Sequence, residues 1–258
     1  MDYQTIRLTR QNGYAVISLD RPEVKNAMNT QMRAEILHAL KDAQRTERAI
    51  VITGTGDAFC SGQDLGDKAT VANTDLERTL RDEYLPMIRA ITDSPVPTIA
   101  AVNGAAAGAG ANLALATDVV VASKSAVFLQ AFTRIGLLPD AGGTYWLPRQ
   151  VGFARAMGAA LFADPVSAKQ AVQWGMIWEA VEDTDFESTW RARAEKLANG
   201  PTVAYAGVKE AMRSSLGNSL DAQLLVEAKL QGRCGKTRDF REGVLAFMEK
   251  RPAEYEGR

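Results

Sequence analysis

The chain has 258 residues, 46% of them hydrophobic and 24% charged, and its 30 basic and 31 acidic residues leave a net charge of −1. That length supports a large core, as one big domain or as a core with an appendage. Near-neutrality excludes the polyelectrolyte field that would make nucleic acid or an anionic membrane the main partner. Cys60 and Cys234 are too few and too far apart for a disulfide framework or a metal cluster. The polar start MDYQTIRLTR lacks a signal-peptide core, and the most apolar run, 97–115, is mostly Ala and Gly with two Asn, too weak for a membrane span. A reducing cytoplasm is the expected setting.

In chain order, TIRLTR and YAVISLD flank Gln11-Asn12-Gly13, and Asn-Gly between extended runs predicts a hairpin. Met32, Ile36, Leu40 and Ala43 recur at helical spacing over 29–44. The single histidine, His38, falls within that helix and reads as an ordinary helix residue. A Ser-His-Asp hydrolase or a His-ligated zinc site would need a histidine elsewhere, and no metal site is expected. AIVITG (49–54) predicts a buried strand, 75–93 a charged helix carrying Leu80, Tyr84, Met87 and Ile88, and 97–104 another strand. GAGANLALA then predicts a helix and DVVVAS (118–123) a strand, while helices are expected near 185–199, 202–214, 219–231 and 238–250. The fold class is α/β, with a core over 1–195 and a helical C-terminal region over 196–258.

Three glycine-containing loops follow strands: Ser61-Gly62-Gln63-Asp64-Leu65, Gly104 to Gly110, and Pro139 to Gly143. Strand–loop–helix junctions leave backbone N–H groups unsatisfied, and two of them converging on one point make an oxyanion hole. The simpler reading is that these glycines permit tight turns and close packing. In GLLPDAGGTYWLPR, Asp140 reads first as an N-cap for a helix starting near Gly142.

RPEVKNAMN (21–29), AFCSGQDL (58–65), IAAVNGAAAGAGANLAL (99–115), GLLPDAGGTYWLPR (136–149) and FMEKRPAEY (247–255) together resemble the enoyl-CoA hydratase/isomerase, or crotonase, superfamily. The resemblance runs over nearly the whole chain, in order. It implies a crotonase-like spiral core of ββα turns and a helical C-terminal trimerisation region, in trimers or dimers of trimers. It implies an acyl-CoA thioester as substrate, with no other cofactor, and an enolate intermediate. The thioester carbonyl would be held by the backbone N–H groups of Ser61 and Ala109. CoA would be contacted by Lys25, Ala27, Gly62, Gln63, Asp64 and Leu65, with Phe247 and Lys250 completing the adenine and phosphate site, often from a neighbouring subunit.

Hydratases of the family use two glutamates, and the matching positions here are Asn112 and Phe132. Neither side chain can take a proton from water, so hydration is not expected, and both are assigned to the acyl pocket. Asp140 matches a position where isomerases and dehalogenases of the family carry a carboxylate. A dehalogenase would need a histidine base, and His38 does not match it. A dienoyl-CoA isomerase would keep a second acid near 112 or 132. The combination of Asp140 with Asn112 resembles the epoxyphenylacetyl-CoA isomerases, with fatty-acid Δ3,Δ2-enoyl-CoA isomerases as the nearest rival and an idle crotonase-fold binding subunit as a second. The expectation is an isomerase with Asp140 as sole acid/base, a role compatible with capping. Trp146 is read as core, and the polar segment 66–78 as a cover over the acyl pocket.

Overall fold

The computed structural model describes residues 2–66 and 75–258. Strands β1 (Ile6–Gln11) and β2 (Tyr14–Leu19) form the expected antiparallel hairpin across Asn12 and Gly13, both at positive φ. Helix α1 (Thr30–Thr46) begins where the Asn29 side chain accepts the Met32 N–H, and it buries Met32, Ile36, Leu40 and Ala43. His38 on this helix bonds the Tyr3 hydroxyl at 2.8 Å, an ordinary helix-surface role.

One strand–strand device then recurs. β3 (Ala49–Gly54) leads into β4 (Ala58–Cys60), β5 (Thr98–Val102) into β6 (Ala105–Ala107), and β7 (Val119–Ser123) into β8 (Val127–Leu129). The first member of each pair joins a six-stranded sheet of order β1-β2-β3-β5-β7-β10, the second a four-stranded sheet of order β4-β6-β8-β9. Here β9 is Val166–Ser167 and β10 is Glu179–Val181. Helix α2 precedes β5 in three continuous segments: Leu76–Thr79, a π-helical turn Leu80–Tyr84, and Leu85–Thr92. Helix α3 (Ala109–Leu115) follows β6. These ββα turns wind as the spiral that the motifs imply.

The inner strands of the large sheet, β2, β3, β5 and β7, are buried on both faces, which is why their sequences are nearly continuous apolar runs. Ala15, Ile17, Ile50, Ile52, Ala100 and Val102 pack with α1 and α2 in one cluster, while Tyr14, Val16, Ala49, Val51, Ile99 and Ala101 face the other way. The second face is covered by Trp190, Ala194 and Ala198 of α7 (Phe186–Ala198), so a boundary at 195 falls inside a helix that packs on the core.

Beyond β8, helices α4 (Gly143–Val151), α5 (Phe153–Phe162) and α6 (Ala168–Trp174) lead back to β10. After α7 come α8 (Thr202–Ser215), α9 (Leu220–Cys234) and α10 (Arg238–Glu249). Charges fasten this region down: Asp118 pairs with Lys209 and Arg213 of α8, both at 2.7 Å, and Arg48 donates to Thr202 Oγ1 and Tyr255 O at 3.1 Å. Among the described residues, no helix is long and apolar enough to cross a membrane.

Candidate active site

The loop at 61–63 and the start of α3 come together through Gly62. A Cβ added there would stand 2.9 Å from Ala107 O and 3.4 Å from Ala109 N, and φ is +101°. Only glycine allows this approach. Ala109 opens α3, so its N–H has no carbonyl four residues back in the helix, and no side chain caps it from Gly108.

The other donor differs from the expected one. The Ser61 N–H is donated to Lys25 O at 2.9 Å and is therefore spent. A parallel bridge pairs Met28 with Gln63, using Gly62 O and the Asp64 N–H. Bridge geometry turns the N–H of Gln63 away from Met28, and it makes no hydrogen bond among the described residues. The unspent N–H of this loop is that of Gln63, two residues on from Ser61.

Asp140 precedes α4 but does not cap it. The N-cap is Gly142, with no side-chain cap bond, and the Gly143 N–H bonds the main-chain carbonyl of Asp140 at 2.8 Å. The capping role is overturned: the turn uses the backbone of Asp140 and leaves its carboxyl free. Asp140 Oδ1 is buried without a hydrogen-bond partner. Burial pushes the carboxyl pKa up to about 6, with only its own N–H pulling the other way.

A cavity of about 750 Å³ opens beside this carboxyl. Its walls are mainly Leu80, Tyr84 and Ile88 of α2, Leu138, Tyr145 and Trp146, with Arg213 and Ser214 of α8 also contributing. Trp146, expected in the core, stands in this wall with Tyr145 packed edge-on at 4.6 Å between centroids. The other lining carboxylate, Asp93, is largely exposed and paired with Arg89 at 3.7 Å.

The two residues assigned to the acyl pocket are placed differently. Asn112 is fully buried behind Asp140: its Nδ2 donates to Asp140 O at 2.8 Å and its Oδ1 accepts from Gln130 Nε2 at 2.9 Å. It holds the turn and does not line the cavity, because both ends of its amide are engaged in the fold. Phe132 is buried against Gly108, its ring 3.7 Å from where a Cβ there would stand, and it too is absent from the cavity wall. Tyr84 and the α2 wall had no role in the sequence reading, since nothing in a charged amphipathic helix says which apolar residues end beside a carboxylate.

Of the residues expected at CoA, Lys25 and Lys250 both occupy left-handed backbone at turn ends, φ 54° and 55°. The Lys25 ammonium pairs with Asp57, and Asp64 is held by Arg21 at 2.7 Å. Ala27 is buried beside the Met28–Gln63 bridge, and Leu65 is exposed. Phe247, 85% exposed, lies on a separate groove with Phe240, Val244 and Tyr255, away from the Asp140 cavity. Most of the segment expected to cover the pocket, 66–78, lies outside the described residues.

Comparison with known proteins matches residues 9–258 to the enoyl-CoA hydratase/isomerase family. A "probable enoyl-CoA hydratase" of Rhodobacter capsulatus is 62% identical over all of both chains. The "1,2-epoxyphenylacetyl-CoA isomerase" of Escherichia coli is 44% identical over 96% of this chain and 97% of its own. A solved structure of a "putative Enoyl-CoA hydratase/isomerase" from Mycobacterium abscessus superposes with a TM-score of 0.93 at 37% identity, covering 98% of this chain and all of that one. With the ββα spiral, the apposed Gly62 and Ala109 loops and a match over nearly its whole length, the chain belongs to the enoyl-CoA hydratase/isomerase family and has the crotonase fold.

Proposed function

We propose that this protein is an acyl-CoA isomerase that converts ring-1,2-epoxyphenylacetyl-CoA to its oxepin-CoA isomer and also shifts Δ3 double bonds of enoyl-CoA esters into conjugation. The observation that carries this reading is one buried carboxyl, Asp140, standing unpartnered at an apolar cavity, with an amide and a phenyl ring where hydratases keep glutamates. The backbone N–H groups of Gln63 and Ala109 would hold the thioester oxygen. Polarised in this way, the acyl group loses a C2 proton to Asp140, and the electron pair spreads into the carbonyl and the C3–C4 double bond. The same carboxyl returns the proton to C4. On the ring epoxide, the α-proton leaves, the bond between the two epoxide carbons breaks as the ring expands, and a ring carbon takes the proton. Both are isomerisations and need no cofactor beyond the CoA that the substrate carries.

Hydration, the activity in the name of the Rhodobacter relative, fits the site less well. It asks for one group to activate water and another to complete the α-proton transfer. Asn112 is locked between Asp140 and Gln130, and Phe132 has no proton to exchange. The Escherichia isomerase supports the epoxide as substrate, and the aromatic wall of Tyr84, Tyr145 and Trp146 suits a ring. The exposed apolar side chains of α8 to α10 support a trimer, or a dimer of trimers.

The test is Asp140→Asn, assayed with a 3-enoyl-CoA and with the epoxide, and with binding of phenylacetyl-CoA measured separately. Loss of a general acid/base predicts a fall in kcat of about 10²- to 10⁴-fold on both, with binding kept within a few-fold. For the wild type, kcat/KM should rise with pH through about 6, since the base acts only when ionised. Retained turnover in both assays defeats the mechanism.

A further inference from the structure

Tyr84 is a buried polar side chain on the cavity wall to which the isomerisation scheme gives no chemical step. It ends the π-helical turn of α2, where an extra residue in the helix turns a side chain out of the regular register. Its ring is clamped. The Arg33 guanidinium lies over it at 4.9 Å from the centroid, and Arg33 is itself held by Glu83 at 2.6 Å and by Met28 O at 2.7 Å. The residue is 1% exposed, and its hydroxyl makes no well-formed hydrogen bond among the described residues, the Arg33 side chain being the group that approaches it.

A buried hydroxyl without a partner costs stability, and folds keep such groups where a ligand will satisfy them. Here the donor does not stand alone: among the described residues Asp140 Oδ1, an unpartnered acceptor, and Trp146 Nε1 and Arg213 Nη1, unpartnered donors, belong to residues that line the same cavity. Burial raises the Tyr84 hydroxyl pKa well above its ordinary value and the Asp140 charge adds to this, with Arg33 opposing, so the group stays protonated and a donor. A purely hydrocarbon acyl group would leave the Tyr84 hydroxyl and Asp140 Oδ1 unpaired. One bearing an oxygen at this depth would accept from Tyr84 while its carbon-bound proton faces Asp140.

Resting on the isomerase reading above, we propose that Tyr84 is a specificity residue whose hydroxyl donates a hydrogen bond to an oxygen substituent on the acyl group, selecting an oxygenated ring over a plain hydrocarbon chain. In the epoxide reaction that oxygen stays bonded to carbon throughout, so Tyr84 gives a hydrogen bond and no proton is transferred from it. Sites built to hydrogen-bond a substrate discriminate strongly against analogues that lack the group.

The experiment is calorimetric binding of phenylacetyl-CoA and 2-hydroxyphenylacetyl-CoA to the wild type and to Tyr84→Phe. The wild type should prefer the oxygenated ester at least tenfold, and Tyr84→Phe should cut that preference at least fivefold. Melting temperature should stay level or rise, because the change removes a buried hydroxyl that nothing satisfies. A wild type without preference, or a variant that keeps it in full, overturns the proposal. So does a clear fall in melting temperature, which would mean that the hydroxyl is bonded within the fold. No turnover enters this test, so loss of the isomerase reading in the Asp140→Asn assays is a separate result.

Discussion

At the scale of single residues, Asp140 and Asn112 divide one task. Asp140 carries a carboxyl whose pKa burial raises from 3.8 to about 6, so the folded protein binds its proton more tightly than the unfolded chain does. The sign follows by linkage: this contribution is fully present below about pH 4 and is lost as pH rises through 6, leaving a penalty on the order of 3 kcal/mol at neutral pH. Asp140→Asn should therefore be more stable than the wild type at pH 8, with the gain shrinking towards pH 5 in paired denaturant titrations. A helix cap would give the opposite sign. Asn112 fixes the carbonyl beside that carboxyl, and Asn112→Ala would leave Gln130 Nε2 without a partner and Asp140 O with the Gly143 N–H alone. The orphaned Gln130 amide costs roughly 1–3 kcal/mol, and kcat should fall at least tenfold as the turn loosens, with KM moving less. Urea melts and steady-state kinetics on the same preparation check both. The replacement of a glutamate by Asn112 was legible in the sequence; its use as a brace was not, because hydrogen-bond partners at 130 and 140 are brought to it only by packing.

At the scale of elements, the site depends on how closely two loops approach. Gly62 meets the start of α3, and Gly143 meets Asn112, where an added Cβ would fall 2.3 Å from Nδ2. Gly62→Ala should force the 61–63 loop away from Ala109, since the clash is with backbone and φ is +101°. Turnover should drop by more than tenfold while circular dichroism is unchanged, with thioester polarisation lost in difference infrared spectra of bound acyl-CoA. The hairpin, α1, the sheet strands and the C-terminal helices follow the local periodicities of the sequence closely. The short strands β4, β6 and β8, of three residues each, carry no such period and exist because each longer strand delivers the chain to a second sheet, and the two-residue β9 is added to that sheet from the end of α5. The π-turn at Leu80–Tyr84 has one local signal, Pro86 just after it, whose missing N–H breaks the regular helix ladder, but which side chain the turn would re-aim is not legible.

At the scale of the molecule, α8 to α10 expose Met212, Leu224, Leu225, Phe247 and Met248, more apolar surface than a monomer keeps in contact with water. Sedimentation should find trimers or hexamers, and Met212→Glu with Leu225→Glu should shift the population towards monomer. If Phe247 completes a neighbour's CoA site, dissociation will also raise KM for acyl-CoA.

The sequence by itself determined the family, which implies the ββα spiral, and it put Asn112 and Phe132 where hydratases carry glutamates, with Asp140 as the carboxylate in the third motif. These are written in motifs whose chemistry survives without coordinates. Only the tertiary structure decided that Ser61 spends its N–H on Lys25 while that of Gln63 is left over, that Asp140 does not cap, and that Tyr84 shares its cavity. Each of these depends on which buried polar atom finds a partner. That choice is made by residues distant in the chain, at distances of a few tenths of an ångström.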